Sequence, residues 1–349
     1  MSYLTISDGD GDILIHEVNS DHGEVGATNE HFVIYILPGN PGLISFYEPF
    51  AASLAALLKR SSTCQNATVT ICGRSLRGFE TSAGAGIAES NGGLSLSDTV
   101  LCSQDDLGAI LETLPGTGRA GIKPKVILLG HSVGAYISLE LLRRQGERRK
   151  TGSNENVEIV GGILVFPTVT WIAKSPMGRI LTPILSIPFF PSVVGMLAFC
   201  LSSILPTILL YYIVRLVTWF PPQAASTLVR FLKSKTGVKQ ALSIGLDEMR
   251  TITEDKWTDD VWGSGLSNDP MLFMYLGSND LYVPNSARDD LILTRGTVPG
   301  SHRPRALIDD LGIPHGWCIK HGDPIASKVA PWVEEVISTT SSRSESLPR

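Results

Sequence analysis

From residue 125 to 142 the chain reads as an apolar run, a five-residue turn with glycine at both ends, and a second apolar run: KVILL, GHSVG, AYISLELL. This segment constrains the fold more than any other. A short apolar run before the turn reads as a buried strand and the longer one after it as a helix. A glycine on each side of His131-Ser132-Val133 leaves room for strand and helix to approach closely. The turn lifts Ser132 above the strand and sets it at a helix N-terminus. There the free backbone N–H groups and the helix dipole favour developing negative charge. Ser132 is therefore a candidate nucleophile.

The flanking sequence repeats the alternation. Strands are predicted at residues 31–37 (HFVIYIL), 67–72, 125–129, within 157–166, at 271–276 (MLFMYL) and at 305–308. Helices are predicted at 46–58, from a cap at Ser97 through Asp105 and Leu114, from Ala135 onward, and at 325–337. Strands alternating with helices predict an α/β fold, a mostly parallel central sheet flanked by helices. Residues 80–91, rich in Gly, Ala and Ser, read as a surface loop, and residues 339–349 as a disordered tail.

One stretch breaks the alternation. Residues 180–214 hold no charged residue and no histidine. We read residues 176–225 as an apolar helical cap or hairpin inserted between core segments 1–175 and 226–338. Pro206 divides its second part into candidate helices 192–205 and 207–220. Each is roughly 21 Å long, short of the about 20 apolar residues that a spanning helix needs. A hairpin entering and leaving a lipid monolayer by one face fits that length, as does a lid over the site. Arg215, Tyr211, Tyr212 and Trp219 suit a polar interface.

Composition narrows the partners. The net charge is -5 and charged residues make up 18% of 349. With no basic surplus, a nucleic-acid partner is not expected. Five scattered cysteines argue against a disulfide framework and a zinc site, and suit a reducing compartment. The first residues, MSYLTISDGDGDILIHEV, lack the pattern of a secretory signal. No cofactor or metal is expected.

A serine nucleophile needs a base, and the base an orienting acid. His315, in GIPHGW after the last predicted strand and before the closing helix, is the candidate base. His321, nearer the helix start, reads as solvated, and His302 lies in a basic loop. Asp280 follows strand 271–276 on a Gly-Ser-Asn loop and is the candidate acid. Asp255, Asp259, Asp260 and Asp289 lack a strand directly before them. An oxyanion needs two backbone donors. Val133 follows the nucleophile. The loop Pro38-Gly39-Asn40-Pro41-Gly42 offers Asn40, with Gly39 as runner-up, because proline carries no N–H.

The blocks YILPGNPGLISFYEPF, LLGHSVGAYISLELL, VFPTVTWIAKSPMGRILTP, YLGSNDLYVP and GIPHGWCIKH resemble, in order, those of the lipid droplet-associated hydrolase family. The resemblance runs from about Val33 to the final helix. It implies an α/β-hydrolase fold and a serine–aspartate–histidine triad at Ser132, Asp280 and His315. It also implies a hydrolase of neutral-lipid esters (sterol ester or acylglycerol) on the droplet monolayer or at the endoplasmic reticulum. Arg77-Gly78 is similar to the arginine-glycine turn of other α/β hydrolases. The Gly/Ser-rich loop at 83–97 departs from the family pattern. Two other readings stay open: a droplet-surface protein with little catalysis, and a soluble esterase or thioesterase whose apolar segment is only a lid.

Overall fold

Strand β2 (His31–Leu37) is buried at all of its positions, as a central parallel strand covered on both faces must be. It lies between β3 (Thr68–Arg74) and β4 (Lys125–His131), parallel to both. Beyond β4 follow β5 (Glu158–Val165), β6 (Met271–Leu276) and β7 (Arg305–Ile308), all parallel. The computed structural model describes residues 12–18, 30–65, 67–81, 93–114, 123–152, 157–263, 269–296 and 303–346. Among these the sheet has seven strands, with β1 at Ile13–Glu17, in the order β1-β3-β2-β4-β5-β6-β7.

That order places the site. From β2 the chain moves outward to β3, then returns to the other side of β2 as β4 and continues away. Beyond the carboxyl ends of β2 and β4, successive connections diverge and leave a crevice. The loops carrying Asn40, Ser132, Asp280 and His315 each follow one of the strands β2, β4, β6 and β7.

Helices α1 (Glu48–Leu58), α2 (Ser62–Gln65), α3 (Leu96–Thr113), α4 (Val133–Lys150), α11 (Asn285–Arg295) and α12 (Gly322–Ser346) accompany the sheet. The α/β-hydrolase architecture is present. Four expectations need correction. Strand β1 (Ile13–Glu17) was not anticipated; it pairs antiparallel with β3 at the sheet edge. The cap of α3 is Ser95, not Ser97: Ser95 Oγ accepts from the Asp98 N–H, and the Asp98 carboxylate accepts from the Ser95 N–H, a reciprocal capping box. The closing helix runs to Ser346, through most of the expected tail, and Ser341 Oγ donates to Glu30. Finally, helix α8 (Pro222–Lys233) crosses residue 225, so the insertion does not end there. His302 and residues 82–92 lie outside the described residues.

The insertion comprises α5 (Pro176–Leu185), α6 (Phe190–Ile204), α7 (Thr207–Thr218), α8 (Pro222–Lys233), α9 (Gly237–Thr251) and α10 (Asp259–Trp262). Helices α6 and α7 flank Pro206 as expected, yet they do not project as a free hairpin. Helix α6 packs closely on α9 at Gly195, where an added methyl would lie 2.7 Å from Lys239 Cβ and 2.9 Å from its nitrogen. Ser202 Oγ donates to the Leu232 carbonyl of α8 at 2.7 Å. Leu210 and Val214 of α7 bury against Ala225 and Val229 of α8. The opposite faces stay bare: of 22 exposed large apolar residues described, 16 lie between Ile180 and Trp219. No single helix among the described residues is long and apolar enough to cross a membrane; α5 and α6 pass that test only together, bent by 91°.

Candidate active site

The turn after β4 is held in a conformation few residues adopt. Ser132 has φ 55° and ψ -121°, backbone strain worth about 1–3 kcal/mol. Close packing maintains it. A side chain at Gly130 would collide with the Gly134 carbonyl and the Ser138 hydroxyl, and one at Gly134 with the Leu37 carbonyl. The Ser132 N–H donates to Val165 O at 3.2 Å, and Ser132 O accepts from the Ala135 N–H at 3.0 Å. Both glycines of the motif are thus required by contact.

Three residues far apart in sequence converge here. Ser132 Oγ lies 2.8 Å from His315 Nε2, and His315 Nδ1 lies 2.7 Å from Asp280 Oδ2. Asp280 is 7% exposed, and its other oxygen accepts the Tyr282 N–H at 2.8 Å. A carboxylate only accepts, so Nδ1 carries the imidazole proton and Nε2 accepts from the serine hydroxyl. The ring is flanked by Tyr282, centroid 4.7 Å away, and met edge-on by Phe166 at 6.0 Å. His321 is elsewhere: its N–H donates to Trp317 O at 2.7 Å at the start of α12. It is half-buried rather than solvated.

The loop after β2 lies against Ser132, with the Cβ position of Gly39 3.0 Å from Ser132 Cβ. Gly39 is excluded as an oxyanion donor, because its N–H donates to Tyr47 Oη at 2.8 Å. Among the described residues the N–H groups of Asn40 and Val133 have no acceptor. The Asn40 side chain faces the cap. Its Nδ2 donates to Ala241 O at 2.9 Å and to Glu248 Oε1 at 3.1 Å, both on α9. The inserted helices also reach the loop of Asp280, where the Met177 N–H of α5 donates to Leu281 O at 2.9 Å.

Three further residues brace the site. His131 Nδ1 lies 2.6 Å from Tyr47 Oη, and its Nε2 lies 2.9 Å from the backbone carbonyl of His315. Burial, with His315 alongside, holds the His131 pKa well below its usual range, so the ring is neutral. A carbonyl only accepts; Nε2 therefore bears the proton, and Nδ1 accepts from the Tyr47 hydroxyl, which in turn accepts from Gly39. One chain of hydrogen bonds joins the loop after β2, the strand end before Ser132 and the loop of His315. Glu248, 4% exposed, is pushed up to about 8 by burial. His131 lies in the motif itself, and Tyr47 stands nine residues after Pro38. Nothing near Glu248 in sequence marks it.

A family model described as lipid-droplet associated hydrolase matches residues 30–318. The chain is 26% identical over 304 residues to the lipid droplet-associated hydrolase of Mus musculus, covering 86% of this chain and 84% of that one. It is 30% identical over 156 residues to that of Homo sapiens, a match spanning 44% of this chain and 42% of the human protein. Among solved structures, a peroxisomal α/β-hydrolase from Saccharomyces cerevisiae superposes with a TM-score of 0.58 at 11% identity, over 100% of this chain and 95% of that one, a likeness of fold. With that family model matched from β2 through the loop after β7, the chain belongs to the lipid droplet-associated hydrolase family, and it is a hydrolase.

Proposed function

We propose that the chain is a serine hydrolase that cleaves carboxylic esters of neutral lipids, sterol esters or acylglycerols, at the surface of lipid droplets. The observation that carries this reading is the continuous line Ser132 Oγ, His315 and Asp280, with steps of 2.8 and 2.7 Å. His315 Nε2 takes the hydroxyl proton as Ser132 Oγ bonds to the ester carbonyl carbon. Asp280 holds the tautomer and stabilises the imidazolium. The carbonyl oxygen becomes an oxyanion held by the N–H groups of Val133 and Asn40, which the helix N-terminus reinforces. Collapse breaks the bond to the alcohol oxygen, which receives the proton from His315. Water, deprotonated by the same imidazole, then frees the acid and restores Ser132.

The relatives' name and the bare apolar face of α5 to α7 support a droplet location. Burying one large apolar side chain is worth roughly 1.5–3 kcal/mol, so a handful in the acyl layer overcomes the cost of association. The helices, docked through one face, lie on the monolayer while their backbone groups stay paired. Labelling by a fluorophosphonate probe tests the chemistry without knowledge of the substrate. Wild type should label and Ser132→Ala should not. A wild-type chain that fails to label, yet coats droplets, is instead a surface protein with an idle triad.

A further inference from the structure

The apolar face sits in a segment of one-sided charge. From residue 159 to residue 246 there is neither Asp nor Glu, while seven lysines and arginines occur. The chain as a whole carries -5, so all its acidic surplus lies elsewhere. Solvated helix surfaces normally mix both signs. Among the described residues none of the seven cations is in an ion pair, whereas ion pairs are common elsewhere.

Three of the seven flank the bare apolar face, whereas Arg230 donates to Ser45 Oγ and Lys174 lies over the Trp171 ring. Arg179 is exposed and directly precedes Ile180, itself 57% exposed. Arg215 stands three residues after Tyr212 and four before Trp219, on one side of α7. Lys233 Nζ donates to the Leu205 carbonyl, beside the 78% exposed Ile204. Lys235 is exposed between α8 and α9, while Lys239 lies on the docked side of α6, against Gly195.

We propose that this face selects a phospholipid monolayer rich in anionic headgroups. The inference rests on the reading of the cap as a lipid-binding face and adds which lipid it prefers. Apolar side chains enter the acyl layer while the flanking guanidinium and ammonium groups remain at phosphate level. Any carboxylate on the exposed faces of α5 to α7 would face the negative surface, in keeping with the absence of acids there. An acidic face on a second copy would answer the charges but leave the apolar helices bare.

The test is flotation of the purified full-length chain with triolein droplets coated by phosphatidylcholine alone or with phosphatidylserine. Each engaged cation strengthens binding to an anionic surface about fivefold. Wild type should therefore bind the phosphatidylserine coat at least about tenfold more tightly, and raised salt should erase the difference. The triple variant Arg179→Gln, Arg215→Gln, Lys235→Gln should bind phosphatidylcholine droplets as wild type does and lose most of the preference. Hydrolysis of a short soluble ester verifies that it is folded. Equal wild-type binding to both coats, or a triple variant with its preference intact, overturns this proposal and leaves droplet binding standing. Binding to neither coat overturns the droplet reading itself.

Discussion

Asn40 and Glu248 stand 208 residues apart in sequence, and their side chains meet at 3.1 Å, the Asn40 amide donating to the carboxyl group. With the second bond to Ala241 O, one side chain ties the loop after β2, the proposed oxyanion loop, to helix α9. The placement of α9 and the geometry of the Asn40 loop are therefore coupled.

That coupling is sensitive to pH. Burial, with Asp247 adding repulsion, raises Glu248 to about 8, against about 4.3 for an unfolded glutamate. Between those values the folded chain holds a proton that the unfolded chain releases. The contribution to stability is full below the unfolded value, declines as pH rises, and is lost above about 8. Wild type should melt at progressively lower temperature from about pH 5 to pH 8 relative to Glu248→Gln, which keeps an acceptor for Asn40 without the charge. Activity of the wild type should fall near pH 8 more steeply than that of the variant. Parallel profiles for the two proteins would remove Glu248 from this role.

The triad makes a sharper prediction. Ser132→Ala and His315→Ala should each reduce ester hydrolysis by several orders of magnitude, on the order of 10⁴–10⁶. Asp280→Asn should cost about 10⁴, because the amide favours the wrong imidazole tautomer. His321→Ala should be mild, since its contacts are at the start of α12. Steady-state kinetics on purified, folded protein decide the matter, and an inactive His321→Ala beside an active His315→Ala would reverse the choice of base.

Tyr47→Phe probes the bracing chain. The ring and its edge-on contacts with Trp317 and His131 remain, while the Gly39 N–H and His131 Nδ1 lose their partner. Leaving such groups buried and unpaired costs about 1–3 kcal/mol. A loop displaced from the oxyanion position should lower kcat, with KM little changed. A variant that loses stability but keeps kcat would confine Tyr47 to a structural role.

Local features were legible in sequence and tertiary ones were not. The elbow at Ser132 is written in consecutive residues, because the close contacts of Gly130 and Gly134 arise within one strand, turn and helix or on the neighbouring strand end. Asp280 was legible for a related reason: it stands four residues past the end of β6, on a small-residue loop. The oxyanion loop was half legible. Its prolines excluded two donors, but the choice between Gly39 and Asn40 depended on Tyr47, which packs back across the loop. Glu248 lies on an ordinary amphipathic helix and gains its character only from burial against Asn40. Strand β1 is a short edge in a polar segment, and the boundary at 225 failed because α8 and α9 carry polar residues yet pack beneath the apolar helices.

The proposed attachment of α6 and α7 to lipid is separable by experiment from the proposed catalysis. Leu197 and Leu209 are 50% and 47% exposed on α6 and α7, so neither fills the core. Replacing them with aspartate leaves the docked faces, Gly195 and Ser202 on one helix and Leu210 and Val214 on the other, untouched. A charge at the centre of an apolar helix in lipid costs about 2.5–3.5 kcal/mol on insertion scales, less at the shallow depth of an interfacial helix. Leu197→Asp with Leu209→Asp should still weaken droplet binding on the order of a hundredfold or more, releasing the protein to the cytosol of fat-loaded cells. Ser132→Ala should stay on the droplet. The released double variant should hydrolyse a short soluble ester at the wild-type rate, because the triad and oxyanion loop are unchanged, and should lose activity on emulsified neutral lipid. A double variant that still coats droplets would mean that the exposed face of α6 and α7 is a lid and that attachment lies elsewhere.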